Sequence, residues 1–173
     1  MIRLIDTALL DAVCAEAAAS PRRRTNRNFH PRDDFPGHRL LNAMQPESYV
    51  APHRHLDPLK DETFVVLRGR LGLVIFDDEG KATHTVTLTA DGGNPAAKVS
   101  PGGTAVDVVA GCGADLPHGT WHSLVALTPD VVFLEAKSGP YLPLTEAEKA
   151  PWAPAENDPG AADYLQGLRR LFA

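Results

Sequence analysis

Glu62-Thr63-Phe64-Val65-Val66-Leu67-Arg68-Gly69-Arg70-Leu71-Gly72-Leu73-Val74-Ile75-Phe76 is the stretch that decides the fold. Two short apolar segments, residues 64–67 and 71–76, stand on either side of Arg68-Gly69-Arg70, and each reads as a strand. Segments of the same kind recur in both directions, at residues 40–44 and 49–55 before it and at 83–88, 104–109, 122–127 and 131–136 after it. Clusters of Pro, Gly and Asp separate them, such as Asp77-Asp78-Glu79-Gly80 and Asp91-Gly92-Gly93-Asn94-Pro95. A parallel α/β sheet needs a helix between strands, and none of these gaps holds one. The pattern predicts an all-β barrel or jelly roll.

Outside the strand region the chain changes character. Asp6 is placed to cap a helix over residues 7–18, which Ser20-Pro21 stops. Residues 22–37 are polar and basic, broken by Pro31 and Pro36, and read as a loop lying over something else. After Tyr141 comes a Pro-rich arm (Pro143, Pro151, Pro154, Pro159), then a helix from Asp158 or Pro159 to Leu171, striped by Leu165, Leu168 and Leu171. We therefore expect one domain in three parts: residues 1–38 as a helix and an Arg-rich loop packed on the barrel, 39–140 as the barrel, and 141–173 as the arm and final helix.

At 173 residues the chain is long enough to bury a sizeable core without a disulfide or metal to hold it folded. Seventeen Lys and Arg against 22 Asp and Glu give a net charge of −5, no electrostatic footprint for nucleic acid. No apolar stretch has the length of a membrane span, and the N-terminus lacks the layout of a signal peptide. Two cysteines, Cys14 and Cys112, suit a reducing compartment. The expectation is a cytoplasmic protein with neither nucleic acid nor membrane as a partner.

The chemistry-bearing residues lie in two places. His53-Arg54-His55 sets two imidazoles on the same side of an extended chain, with Glu62 downstream. Pro117-His118-Gly119-Thr120-Trp121-His122 supplies a third imidazole, His122. Three nitrogens and one carboxylate form a set that holds one divalent transition metal and leaves coordination positions open. Iron, manganese, nickel, zinc and copper all suit it. Asp61 and Asp57 stay open as alternatives to Glu62, because the segment between His55 and Glu62 is long.

In these residues the chain resembles the cupin superfamily. Gly111, Pro117, Gly119 and His122 fall at every spacing of that superfamily's second motif, with Ala126 where the motif has Asn. His53, His55, Glu62 and Gly69 match the first motif in type and order. There, six residues instead of three or four separate His55 from Glu62, and Glu47 replaces the leading glycine. More widely the chain looks like the WbuC family of cupin-fold metalloproteins, through residues 20–30, 49–55, 64–70, 76–80, 119–122, 135–141 and 152–154. The resemblance implies a double-stranded β-helix (jelly-roll barrel) with an N-terminal helix and a C-terminal arm and helix. It also implies a role in bacterial O-antigen or other surface-polysaccharide metabolism, and a homodimer. A sugar-directed isomerase or epimerase, working by carbonyl polarisation on an anionic sugar-type ligand, is the expected function. A metal-dependent dioxygenase and a non-catalytic binding or regulatory module are the alternatives.

Further candidates are read by residue type. In the basic segment, Arg24, Asn26, Arg27, Asn28 and His30 are expected to bind an anionic substrate at the barrel mouth, since Arg grips carboxylate and phosphate with a two-pronged fork. Tyr49 and Glu135 are candidate catalytic groups beside the metal. Arg54, alternating with the two histidines, is expected outside the pocket. His118 and His84 read as structural and Cys112 as a small buried side chain at a turn.

Overall fold

The computed structural model describes residues 2–93 and 107–173. In chain order these form α1 (Thr7–Ala19), β1 (Arg24–Asn28), β2 (Gly37–Met44), β3 (Glu62–Arg68), β4 (Arg70–Phe76), β5 (Ala82–Thr89), β6 (Asp107–Gly111), β7 (Gly113–Leu116), β8 (Trp121–Ala126), β9 (Val131–Ser138), a short 3-10 turn (Glu146–Glu148) and α2 (Ala161–Arg170). One sheet runs β1-β2-β9-β3-β7 and the other β6-β5-β4-β8. Every pairing is antiparallel except β5 with β6. This is the expected all-β architecture of two sheets, a jelly roll. No helix among the described residues is long and apolar enough to cross a membrane.

Strand periodicity explains where the core sits. On β9, Val131, Phe133, Glu135 and Lys137 share one face, and Val132, Leu134 and Ala136 share the other. The first pair packs between the sheets with Met44, Phe64, Val66, Leu71, Leu73, Leu88, Leu124 and Ala126. Phe64 and Phe133 meet edge to face, their centroids 5.6 Å apart. The opposite face of β9 contributes Val132 to a layer in which Leu41 and Ala43 receive Val13, Cys14 and Ala17 of α1. Asp6 caps that helix as expected, its carboxylate accepting the Leu9 N–H at 3.0 Å. On the outside of the second sheet, Val74, Phe76, Trp121 and Val125 pack against Ala161, Leu165 and Leu168 of the C-terminal segment. Leu171, the third residue of the expected stripe, is exposed.

Tight connections fix the register. Gly69 joins β3 to β4 at φ +75°, with Thr128 Oγ1 only 2.8 Å from where a Cβ would stand.

Three expectations are corrected. The basic segment is not a loop: residues 24–28 form β1, the edge strand of the five-stranded sheet, paired with β2 from Arg24↔Met44 to Asn28↔Leu40. Polar side chains are compatible with an edge strand, whose second neighbour is missing. Residues 49–55 do not form a strand, because Pro52 has no N–H to give a ladder. Only His53 pairs there, in isolated bridges to His122 and Lys149. Finally, residues 113–116, not read as a strand, form β7 beside β3. Part of the expected strand at 104–109 lies outside the described residues.

Phe133→Ala should destabilise the protein by about 3–5 kcal/mol, the range for deleting a fully enclosed aromatic. Urea unfolding followed by circular dichroism reads this as a lowered midpoint with an unchanged slope.

Candidate metal centre

The same strand faces that build the core turn polar toward one end of the barrel. On β3 the inward series is Glu62, Phe64, Val66; on β8 it is His122, Leu124, Ala126; on β9 it ends in Glu135 and Lys137. Register then places Glu62 opposite Lys137. His53 and His55 arrive from a non-strand segment held between two neighbours. The His53 N–H donates to His122 O at 3.0 Å and the His122 N–H to His53 O at 2.9 Å. On the other side Arg54 N–H donates to Glu148 O at 3.0 Å, and Ala150 N–H to Pro52 O at 3.1 Å.

Ligand atoms of His53, His55 and Glu62 all lie within 4.8 Å of one another. The expected fourth ligand, His122, stands beside this trio, with Nε2 3.3 Å from Glu62 Oε2 and its ring 4.4 Å from that of His53. Asp61 does not take the place of Glu62: it is exposed and accepts from His118 N–H at 2.8 Å, with His118 Nδ1 3.0 Å away. Asp57 turns back on its own loop, accepting from the Leu59 N–H at 3.0 Å.

The hydrogen bonds decide what these rings offer. Nδ1 of His53 faces Ala51 O at 3.1 Å, and Nδ1 of His122 faces Thr120 O at 2.9 Å. A carbonyl only accepts, so both Nδ1 atoms carry the proton and both Nε2 atoms are bare in the neutral ring. Burial, reinforced by neighbouring His122, pushes His53 down to about 3, so its ring is neutral at ordinary pH. His122 Nε2 stands 3.3 Å from Glu62 Oε2, a contact that a proton on the ring or a metal ion between the two atoms makes favourable. His55 Nε2 is buried and, although 3.0 Å from Glu62 Oε1, makes no hydrogen bond of good geometry. A bare lone pair, a buried orphan nitrogen and a 3% exposed carboxylate fit a divalent metal.

Burial alone would raise the Glu62 pKa. Contacts with His122 and His55, and the charge of Lys137, outweigh it and hold the carboxyl well below the usual range. Lys137 Nζ lies 2.8 Å from Glu62 Oε1 and 2.6 Å from Glu135 Oε1. Burial disfavours its charged form, but the two carboxylates more than offset this and push its pKa up. Glu135 is fixed on its other side, where Oε2 accepts from Asn42 Nδ2 at 2.7 Å. Lys137 and Asn42 were not singled out in the sequence, yet the alternation through Glu135 carries the signal for Lys137.

The cluster opens onto a cavity of about 740 Å³, within the usual range for small-molecule sites. A smaller pocket of about 130 Å³ runs inward past Glu62, His122, Glu135 and Lys137.

Of the five expected substrate-binding residues, Arg24 and Asn26 line these spaces. Asn26 donates to Asn42 Oδ1 at 2.6 Å. Strand periodicity puts Arg27 on the other face of β1, where it pairs with Glu16 of α1. Asn28 is exposed at the end of the strand, and His30 is buried against His38 with ring centroids 3.9 Å apart, neither lining the cavity. Of the two candidate catalytic groups, Glu135 faces the inner pocket, whereas Tyr49 does not. The Tyr49 hydroxyl donates to Pro154 O at 2.8 Å in the apolar layer under α2, and burial raises its pKa. Arg54 lies outside as expected, its guanidinium 4.2 Å from the Trp121 ring centroid. Cys112 is exposed, not buried.

A family model described as a domain of unknown function (DUF6016) matches residues 5–88, a span that holds His53, His55 and Glu62 and ends before His122. No curated protein matches the chain. Among solved structures, the chain is similar to a cupin-2 domain containing protein from Shewanella frigidimarina, at 18% identity over 66% of this chain and 80% of that one, TM-score 0.43. It is also similar to a cupin-2 domain protein from Rhodospirillum rubrum, at 16% identity over 84% and 80%, TM-score 0.47. A third is the Bacillus subtilis oxalate decarboxylase, described with Mn(II) centres, at 15% identity over 62% of this chain and 22% of that one, TM-score 0.41.

Glu148 gives the site a pH-dependent support. Its carboxylate accepts the Leu56 N–H at 3.0 Å and the Thr145 N–H at 2.9 Å, and these bonds hold its pKa down to about 2 from an ordinary 4.5. The stabilisation is complete above the ordinary value and is lost as pH falls through the lowered one. Glu148→Gln should therefore lower the melting temperature at neutral pH and flatten its decline between about pH 5 and pH 2 relative to wild type. A thermal melt series across that interval checks it.

Proposed function

We propose that this chain is a metal-dependent sugar isomerase or epimerase of the WbuC type. On this reading it serves bacterial surface-polysaccharide metabolism and holds one divalent transition metal on His53, His55, Glu62 and His122. The observation that carries the proposal is the group of imidazoles around the buried Glu62 at the floor of a cavity able to admit a monosaccharide. When bound, the ion supplies Lewis-acid polarisation of a substrate carbonyl oxygen.

The surrounding residues would do the rest. Glu135, oriented by Asn42 and Lys137, takes the proton from the hydroxyl-bearing carbon beside the carbonyl and returns it to the carbonyl carbon, while the hydroxyl proton passes to the carbonyl oxygen, which completes an isomerisation; in epimerisation water supplies a proton to the opposite face of the same carbon. No co-reactant is needed. Lys137 helps hold Glu62 ionised and positions Glu135, and the apolar wall of Val50, Pro52, Pro140 and Leu144 limits water around the exchanging proton.

Elemental mass spectrometry of protein purified without a tag or chelator should find about one equivalent of a single metal, lost in His53→Ala and His122→Ala. With D-fructose 6-phosphate in deuterated water, NMR should show exchange at the carbon beside the carbonyl. Glu135→Gln should slow that exchange about 10²–10⁴-fold with metal content unchanged. Absence of metal in wild-type protein, even after reloading, would overturn the reading. Metal without exchange would favour a binding module, and iron with oxygen uptake a dioxygenase.

A further inference from the structure

Four flexible cationic side chains, Arg24, Lys60, Lys137 and Lys149, line the cavity above the metal centre. Three are already engaged by carboxylates. Arg24 pairs with Glu156 and donates to Tyr49 O at 2.9 Å; Lys137 bridges Glu62 and Glu135; Lys149 lies 2.7 Å from Glu146. Lys60 differs. It is 8% exposed, yet its ammonium has one polar partner among the described residues, the carbonyl of Pro140 at 3.0 Å.

An ammonium has three donors, and the Pro140 carbonyl takes one of them. The fold nevertheless holds it there deliberately. Lys60 sits in the segment between His55 and Glu62 that is longer than the cupin motif. Asp57 shapes the turn, its carboxylate accepting from Leu59 N–H and its carbonyl from Lys60 N–H at 2.9 Å. Asp61, the acidic neighbour, is turned outward to His118. The added residues thus bring a cation to the cavity wall and turn the nearby carboxylates away from it.

We infer that Lys60 is the specificity-determining residue that binds the acidic group of the substrate, so the cavity selects a sugar acid or sugar phosphate over a neutral sugar. The inference rests on the proposed sugar-directed function for the identity of the ligand, but the anion site stands on Lys60 itself. One end of the ligand then lies at the metal centre and the charged end under the Pro140–Leu144 strap.

The test is calorimetric titration of metal-loaded protein with D-glucose 6-phosphate, D-glucuronate and D-glucose, with metal content measured on the same samples. At least one anion should bind about tenfold or more tighter than glucose, and whichever binds separates phosphate from carboxylate. Lys60→Met should weaken that anion about ten- to a hundredfold, with metal content and glucose binding unchanged. Lys60→Gln keeps a donor for Pro140 but no charge, and should show the same loss. Anion binding at wild-type strength in Lys60→Gln would make Lys60 a structural strut and overturn the inference, as would wild-type protein that prefers no anion to glucose. Titrating metal-free protein separates the two readings. Lys60-dependent anion binding in a protein that takes up no metal would sink the metal reading and leave this one standing.

Discussion

A carboxylate buried to 3% exposure has to be surrounded by positive charge, and Glu62 organises one end of this barrel for that reason. His55, His122 and Lys137 all converge on its two oxygens. Each comes from a different part of the chain, so this single charge ties together β3, β8, β9 and the His53–His55 segment. Lys137 is its one lysine or arginine partner among the described residues, and the imidazoles of His55 and His122 complete the shell. His53, His55 and Glu62 bring their ligand atoms close enough to hold a metal ion.

The barrel achieves this through alternation. Each of β3, β8 and β9 points an apolar series into the core and then, one or two steps on, polar groups into the site. Phe64, Leu124 and Phe133 thus form the hydrophobic floor on which Glu62, His122 and Glu135 stand. The core and the site share the same strand faces. A register slip of one residue would turn both outward at once.

Much of this was legible in the sequence. The apolar runs at 64–67 and 71–76 and their repetition predicted the sheets, and the His-x-His segment and Glu62 pointed to three residues that the fold gathers, with His122 beside them. The misreadings have physical causes. β1 looked like a loop because an edge strand exposes its side chains and its polarity then resembles solvent-facing coil. Residues 49–55 looked like a strand because their apolar composition hides what Pro52 does to the ladder. Arg24 to His30 were grouped by charge, whereas strand periodicity divides them, sending Arg24 and Asn26 toward the cavity and Arg27 toward α1. Tyr49 was read by type, and its hydroxyl is held by Pro154 in another layer. Lys60 carried no sequence signal, since its lack of a carboxylate partner among the described residues is decided by the fold.

The double suspension of His53 bears on how the centre behaves in time. Its backbone is fastened to β8 on one side and, through Arg54 and Pro52, to the 148–150 stretch of the C-terminal arm on the other. The arm is therefore part of the first ligand's mounting. Local opening of that arm, a sub-global event less costly than unfolding the sheets, releases His53 while Glu62 and His122 stay on their strands. The residence time of an ion held at this centre would then follow the fraying of a segment remote in sequence, and anything that grips the arm would act as a brake on exchange.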